Sequence, residues 1–129
     1  MPKALSKTQK KLDNALRGAL QSVCESTLKD LEGFSWLTHQ ADYANFPASL
    51  LIICIFEYDE QLDAFTNSGS ASNIRSKIQQ SALRVGVRLK NPPSQIRFDS
   101  EQACKKNHGG NWRIRLAMLE GRAVPRNRP

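Results

Sequence analysis

The chain has 129 residues and a formal net charge of +7, long enough for one hydrophobic core and too short for two. Hydrophobic residues make up 40% and charged residues 24%, a balance that excludes a wholly disordered chain. The longest apolar run, Leu50 to Phe56, is far below the roughly 20 residues needed to cross a bilayer, so no membrane partner is expected.

The N-terminus, MPKALSKTQKK, has lysines but no apolar stretch behind them, and it does not read as a secretory signal. Residues 6–31 carry Leu12, Leu16, Ala19, Leu20, Val23, Thr27, Leu28 and Leu31 at spacings of three and four. That period predicts a long amphipathic helix, capped by Ser6 and stopped by Gly33, with lysines on its outer face. Residues 34–43, FSWLTHQADY, alternate roughly and are rich in aromatic and β-branched side chains, which predicts a strand. A turn through Pro47 leads to SLLIICIFEY at 49–58, a central strand buried on both faces. The two are expected to pair as an antiparallel hairpin.

Asp59 then caps a helix over 59–66, with acids in its first turn. NSGSAS at 67–72 breaks it, and Ile74, Ile78, Ala82 and Val85 resume a helical period over 73–85. NPP at 91–93 excludes regular structure there. QIRF at 95–98 predicts a short strand. Residues 99–108 predict a short helix with a capping box from Asp99 to Gln102 and a stop at Gly109. WRIRLAM at 112–118 alternates apolar and other residues, which predicts a last strand.

These elements define one α+β domain over residues 1–118, with an antiparallel or mixed sheet, helices on one face and the order αββααβ(αβ). A basic flexible tail is expected over 119–129. The expected core is Leu16, Leu20, Val23, Leu28, Leu50, Ile52, Cys54, Phe56, Phe65, Ile74, Ile78 and Phe98.

The charge is unevenly placed. Residues 1–31 have a net charge of +3, residues 32–83 of −4 and residues 84–129 of +8. A basic last third favours a polyanion, RNA above all. The candidate contacts are Arg84, Arg88, Lys90, Arg97, Lys105, Lys106, Arg113 and Arg115, with Arg75 and Lys77 beside them. Trp112 and Tyr43 are candidate stacking partners. Cys24, Cys54 and Cys104 are odd in number and widely spaced, which fits reduced thiols and a cytoplasmic location.

No nucleophile elbow, P-loop, dinucleotide glycine fingerprint or zincin motif is present. Cys104 and His108 lie one helical turn apart, but zinc needs three or four ligands and the only other histidine is His39. No metal, cofactor or catalytic residue is therefore expected. The histidines His39 and His108 would serve RNA cleavage only if the fold brought them together.

The order of elements over residues 6–98 is similar to that of the type II KH domain, an RNA-binding fold. The resemblance implies a Gly-x-x-Gly loop between the paired helices that clamps the nucleotide backbone. The loop here, TNSGSASN at 66–73, has one glycine, Gly69, and no lysine. Separately, WLTHQADYANFPASLLIICIF and IRFDSEQACKKNHGGNW resemble a group of short bacterial proteins, some labelled Fis-family transcriptional regulators. That resemblance spans residues 34–112 and implies a small bacterial cytosolic protein with no catalytic residue. Fis-type regulators end in a helix-turn-helix; residues 99–129 show no such spacing.

The function expected first is non-catalytic association with nucleic acid, RNA or the ribosome, through the basic C-terminal surface. The alternatives are a homo-oligomeric interaction module, with a homodimer seam along the first helix, and a DNA-binding regulator or small nuclease.

Overall fold

The structure is a computed structural model that describes residues 5–119. Beyond Leu119, the tail expected at 119–129 lies outside the described residues.

Helix α1 spans Lys7–Ser26. Ser6 caps it: its Oγ accepts from Gln9 N at 3.1 Å, and Gln9 Oε1 accepts from Ser6 N at 3.0 Å, satisfying two orphan amides at once. Leu16, Leu20 and Val23 form its buried stripe. The expected helix ran to residue 31; Thr27 leaves helical geometry instead, and Leu28–Asp30 form one turn of 3-10 helix. Gly33 (φ +84°) redirects the chain, and a Cβ here would lie 2.1 Å from Gln61 Oε1. Both the dihedral and the close approach require glycine.

Strand β1 spans Phe34–Gln40 and β2 spans Leu51–Phe56. They pair antiparallel, Phe34 opposite Phe56 and Gln40 opposite Leu51. Helices α2 (Asp59–Asn67) and α3 (Ser70–Arg84) follow. They are separated only by Ser68 and Gly69, whose φ of +82° makes the break. The helical turn α4 spans Pro92–Gln95. Prolines were expected to exclude regular structure here, but they occupy the first helical positions, where their missing N–H costs nothing. Strand β3 spans Ile96–Ser100 and pairs parallel with β2, Ile52 beside Ile96 and Phe56 beside Ser100. The sheet is therefore mixed, in the order β1-β2-β3.

Helix α5 spans Glu101–His108 and α6 spans Trp112–Leu119. The strand expected over 112–118 is thus a helix. Its apolar alternation concealed the residues that point inward: Trp112, Arg115, Leu116 and Leu119, at helical spacing.

This second helix pair also corrects the expectation of helices on one face. Ile52, Cys54 and Phe56 face the main core under α1, α2 and α3. Leu51, Ile53 and Ile55 face the other way, against Trp36, Trp112, Leu116 and Leu119. All six residues of β2 are buried, each large one contributing about 1.5–3 kcal/mol by burial. Of the twelve expected core residues, eleven lie in the main core and Phe98 packs against it, half-buried.

The sheet gives the molecule two ends. The leading end holds Gln40, Leu51 and Ile96; the trailing end holds Phe34, Phe56 and Ser100. Helix α1 starts near the leading end, where Asp13 meets His39 and Tyr43, and returns to Phe34 at the trailing end. Helix α3 packs on α1 and contacts α4, the turn that leads into Ile96. The chain passes from there to α4, where Gln95 Nε2 donates to Pro47 O at 2.8 Å and Leu50 O at 3.0 Å.

Candidate functional site

The stretch 97–112 combines an imidazole, a thiol, acids and a tryptophan, and the structure uses most of them as a clamp. Asp99 is 5% exposed and Arg115 is 9% exposed. Arg115 Nε donates to Asp99 Oδ2 at 2.6 Å and Nη2 to Oδ1 at 2.8 Å, a bidentate pair joining α6 to β3. The hydrogen bonds it donates to Asp99 push the Arg115 pKa up, against the opposing effect of burial. Asp99 is therefore a strand residue committed to Arg115, and the expected cap role passes to Ser100, whose Oγ accepts from Ala103 N at 3.0 Å. Ser100 Oγ itself donates to the Asp59 carboxylate.

Glu101 holds the other side of the clamp. Its Oε2 accepts from Trp36 Nε1 at 2.6 Å and its Oε1 from Trp112 Nε1 at 2.7 Å. The two indoles meet edge to face, with centroids 5.3 Å apart. The sequence reading placed Arg115 and Trp112 among the nucleic-acid contacts. In the structure Arg115 is buried with its guanidinium committed to Asp99, and Trp112 is half-buried with its N–H committed to Glu101.

The remaining candidates separate by position. Arg84, Arg88 and Lys90 are exposed at the leading end, and half-buried Arg97 stands beside them at the start of β3. Its Nε donates to Ser94 O at 2.8 Å. Lys105, Lys106 and Arg113 are exposed on the α5–α6 pair, over the second face of the sheet. Lys77 is exposed on α3. Arg75 is engaged: its Nε donates to Ile96 O at 3.0 Å and its guanidinium lies 4.9 Å over Phe98.

One group was missed as a site. Lys7, Lys10 and Lys11 are exposed in the first turns of α1, the helix that packs on α3, whose last residue is Arg84. Their basic character was visible in the sequence; their neighbourhood depends on α1 packing on α3. Among the described residues the ion pairs are Arg17–Asp13, His39–Asp13 and Arg115–Asp99. None of the leading-end cations pairs with a described carboxylate. The trailing end holds the opposite sign, with Glu57, Asp59, Glu60 and Asp63 at and after the end of β2.

A second polar cluster joins α1 to β1. Asp13 Oδ1 accepts from Tyr43 Oη at 2.6 Å and lies 2.9 Å from His39 Nε2, while Oδ2 accepts from Arg17 Nη2 at 2.9 Å. Burial alone would raise the Asp13 pKa; the bonds from Tyr43, His39 and Arg17 outweigh it and lower it to about 2. The carboxylate is thus ionised, so the proton on His39 Nε2 is the one directed at it. Burial and the bond to Asp13 push the Tyr43 hydroxyl pKa up, and its ring stacks on Phe46 at 4.7 Å. Tyr43 is thereby committed to α1 rather than to an incoming base.

His39 faces the main core side with Asp13, and His108 lies on the other side, its Nδ1 3.4 Å from Arg115 Nη1. The paired-histidine cleavage site is therefore not formed. Cys54 and Cys104 are buried and Cys24 half-buried, all three as free thiols, and burial pushes each of their pKa values up. That is the opposite of an activated nucleophile. Among the described residues no group of three or more histidine, cysteine or acidic side chains could hold a metal ion, and no helix is long and apolar enough to cross a membrane.

Compared with protein-family models, with curated proteins and with solved structures, the chain matches none of them.

Proposed function

We propose that this protein is a non-catalytic nucleic-acid-associated protein that binds RNA through its leading end, in the cytoplasm of a bacterial cell. The observation that carries the reading is a set of cations, Lys7, Lys10, Lys11, Arg84, Arg88, Lys90 and Arg97, that form no ion pair with a carboxylate among the described residues. Cations left without carboxylate partners attract phosphates and release counterions on binding. The support is electrostatic and does not use the KH-like loop. Ser68 and Gly69 lie between α2 and α3, and this loop has no cation of its own.

A second reading is duplex DNA. Helices α5 and α6 are joined by only Gly109, Gly110 and Asn111, a helix-turn-helix connectivity that the sequence had concealed. Lys105, Lys106 and Arg113 would be its phosphate contacts. Against it, α6 turns Trp112, Arg115 and Leu116 into the sheet, which leaves few side chains for a groove.

One titration separates the two. Labelled single-stranded RNA and duplex DNA are each titrated over a salt series with three proteins: the wild type, Arg84→Ala/Arg88→Ala/Lys90→Ala, and Lys105→Ala/Lys106→Ala/Arg113→Ala. The RNA reading expects the first triple variant to weaken RNA binding and to flatten its salt slope by about 2. A larger loss of duplex binding in the second variant would favour DNA. No binding of either nucleic acid at low salt would overturn both.

A further inference from the structure

Two large apolar side chains are exposed on different elements, one next to acidic and one next to basic residues. Tyr58 is 54% exposed, beside Glu57 and Asp59 at the trailing end; Leu83 is 51% exposed, beside Arg84 at the leading end. Leu83 rims an open hollow of about 390 Å³ whose floor is Val87 and Leu89 and whose edge is Arg88, Lys90 and Gln79. Val87 and Leu89 are buried, so the floor is firm. We propose that this hollow receives the trailing end of a second copy of the chain, with Tyr58 seated against Leu83 and its flanking acids facing Arg84, Arg88 and Lys90.

The commitment to a second copy rests on complementarity in both charge and shape. The hollow offers apolar surface edged by Arg88 and Lys90, which form no ion pair among the described residues. The trailing end offers an exposed aromatic, Tyr58, with exposed Glu57 before it and exposed Glu60 and Asp63 in the helix that follows. An aromatic with a polar tip is a favoured interface anchor, and opposite fields speed and orient the encounter. The apolar stripe of α1 cannot supply this contact, because Leu16, Leu20 and Val23 are spent inside the monomer. Since the two surfaces differ and lie on different elements, the contact is heterologous, and repetition gives a chain or a ring rather than a two-fold dimer. The proposal does not depend on the nucleic-acid reading.

The test exploits that asymmetry. Protein freed of nucleic acid by nuclease and a high-salt wash is examined by sedimentation velocity over a concentration series at low salt. Wild type is expected to self-associate, less so at high salt. Arg88→Glu spoils the hollow and leaves the Tyr58 end intact; Glu57→Lys does the reverse. Each alone should stay monomeric, and an equimolar mixture should associate, since one pair of intact surfaces remains between the two variants. Leu83→Glu should raise the apparent dissociation constant about tenfold or more. Circular dichroism confirms that each variant is folded. A wild type that is monomeric at every concentration overturns the proposal, as does self-association retained in either charge variant or a mixture that fails to pair.

Discussion

Arg115 shows how a residue that looks like a ligand contact can be a fold determinant. Its guanidinium and Asp99 are buried together, and their mutual bonds offset the cost of taking both charges from water. Removing one partner leaves the other charged and buried. Arg115→Ala is therefore expected to destabilise the fold by about 3–5 kcal/mol, read from urea midpoints. Asp99→Asn/Arg115→Met should recover part of that loss, because no orphaned charge remains. If Arg115→Ala instead lowered nucleic-acid affinity while leaving the urea midpoint unchanged, the structural role would be wrong. Gly33 makes a similar point without charge. Gly33→Ala meets Gln61 and a positive φ together, and a loss of about 1–3 kcal/mol follows from the backbone alone.

Asp13 gives the residue-scale pH dependence. Its folded pKa is lowered to about 2 from the ordinary 3.8. A depressed carboxylate adds stability that is complete above the unfolded value and is lost as pH falls towards the folded one. The contribution should thus be full above about pH 4 and lost between there and about pH 2. In Asp13→Asn the unfolding free energy should fall less steeply across that window than in the wild type. An identical acid limb in both proteins would remove Asp13 from the account.

At the scale of elements, the legible parts were those whose burial follows the apolar pattern. Helix α1, β2 and α3 bury the residues their periods mark. Helix α6 is short and buries an arginine in its second turn, so its true inward set, Trp112, Arg115, Leu116 and Leu119, was not an apolar set. Trp112, Ile114, Leu116 and Met118 alternate in sequence, yet Met118 is exposed at 42%. Only the pairing of Arg115 with Asp99, sixteen residues earlier, makes that turn of helix coherent, and no local period reports such a pair. The Asp99 cap failed for the same reason, its oxygens being committed elsewhere. If the clamp through Glu101 holds α6 in place, Glu101→Gln should weaken both indole bonds and speed amide exchange in α6 more than in α3. Equal protection in wild type and variant would show that apolar packing on Leu51, Ile53 and Ile55 suffices.

At the scale of the whole molecule, the sequence showed three charge blocks but not where they lie. The fold runs α1 and α3 towards one end with their cations and puts the acids that follow β2 at the other. The candidate site is thus partly legible: Arg84, Arg88, Lys90 and Arg97 are exposed or half-buried as a binding surface requires, Arg115 and Trp112 are engaged with Asp99 and Glu101, and the α1 lysines enter only through tertiary packing. The same end is claimed by RNA and by the trailing end of another copy, and both draw on Arg88. The two events should therefore exclude each other. Adding a short single-stranded RNA to self-associated protein is expected to lower the protein mass per particle while RNA-bound monomer accumulates, as followed by sedimentation with a labelled RNA. Glu57→Lys, which cannot chain, should bind the same RNA at least as tightly as wild type, because no second copy competes for the hollow. If added RNA raised the number of protein copies per particle instead, the nucleic acid and the second copy would occupy different surfaces. The leading end would then belong to only one of them.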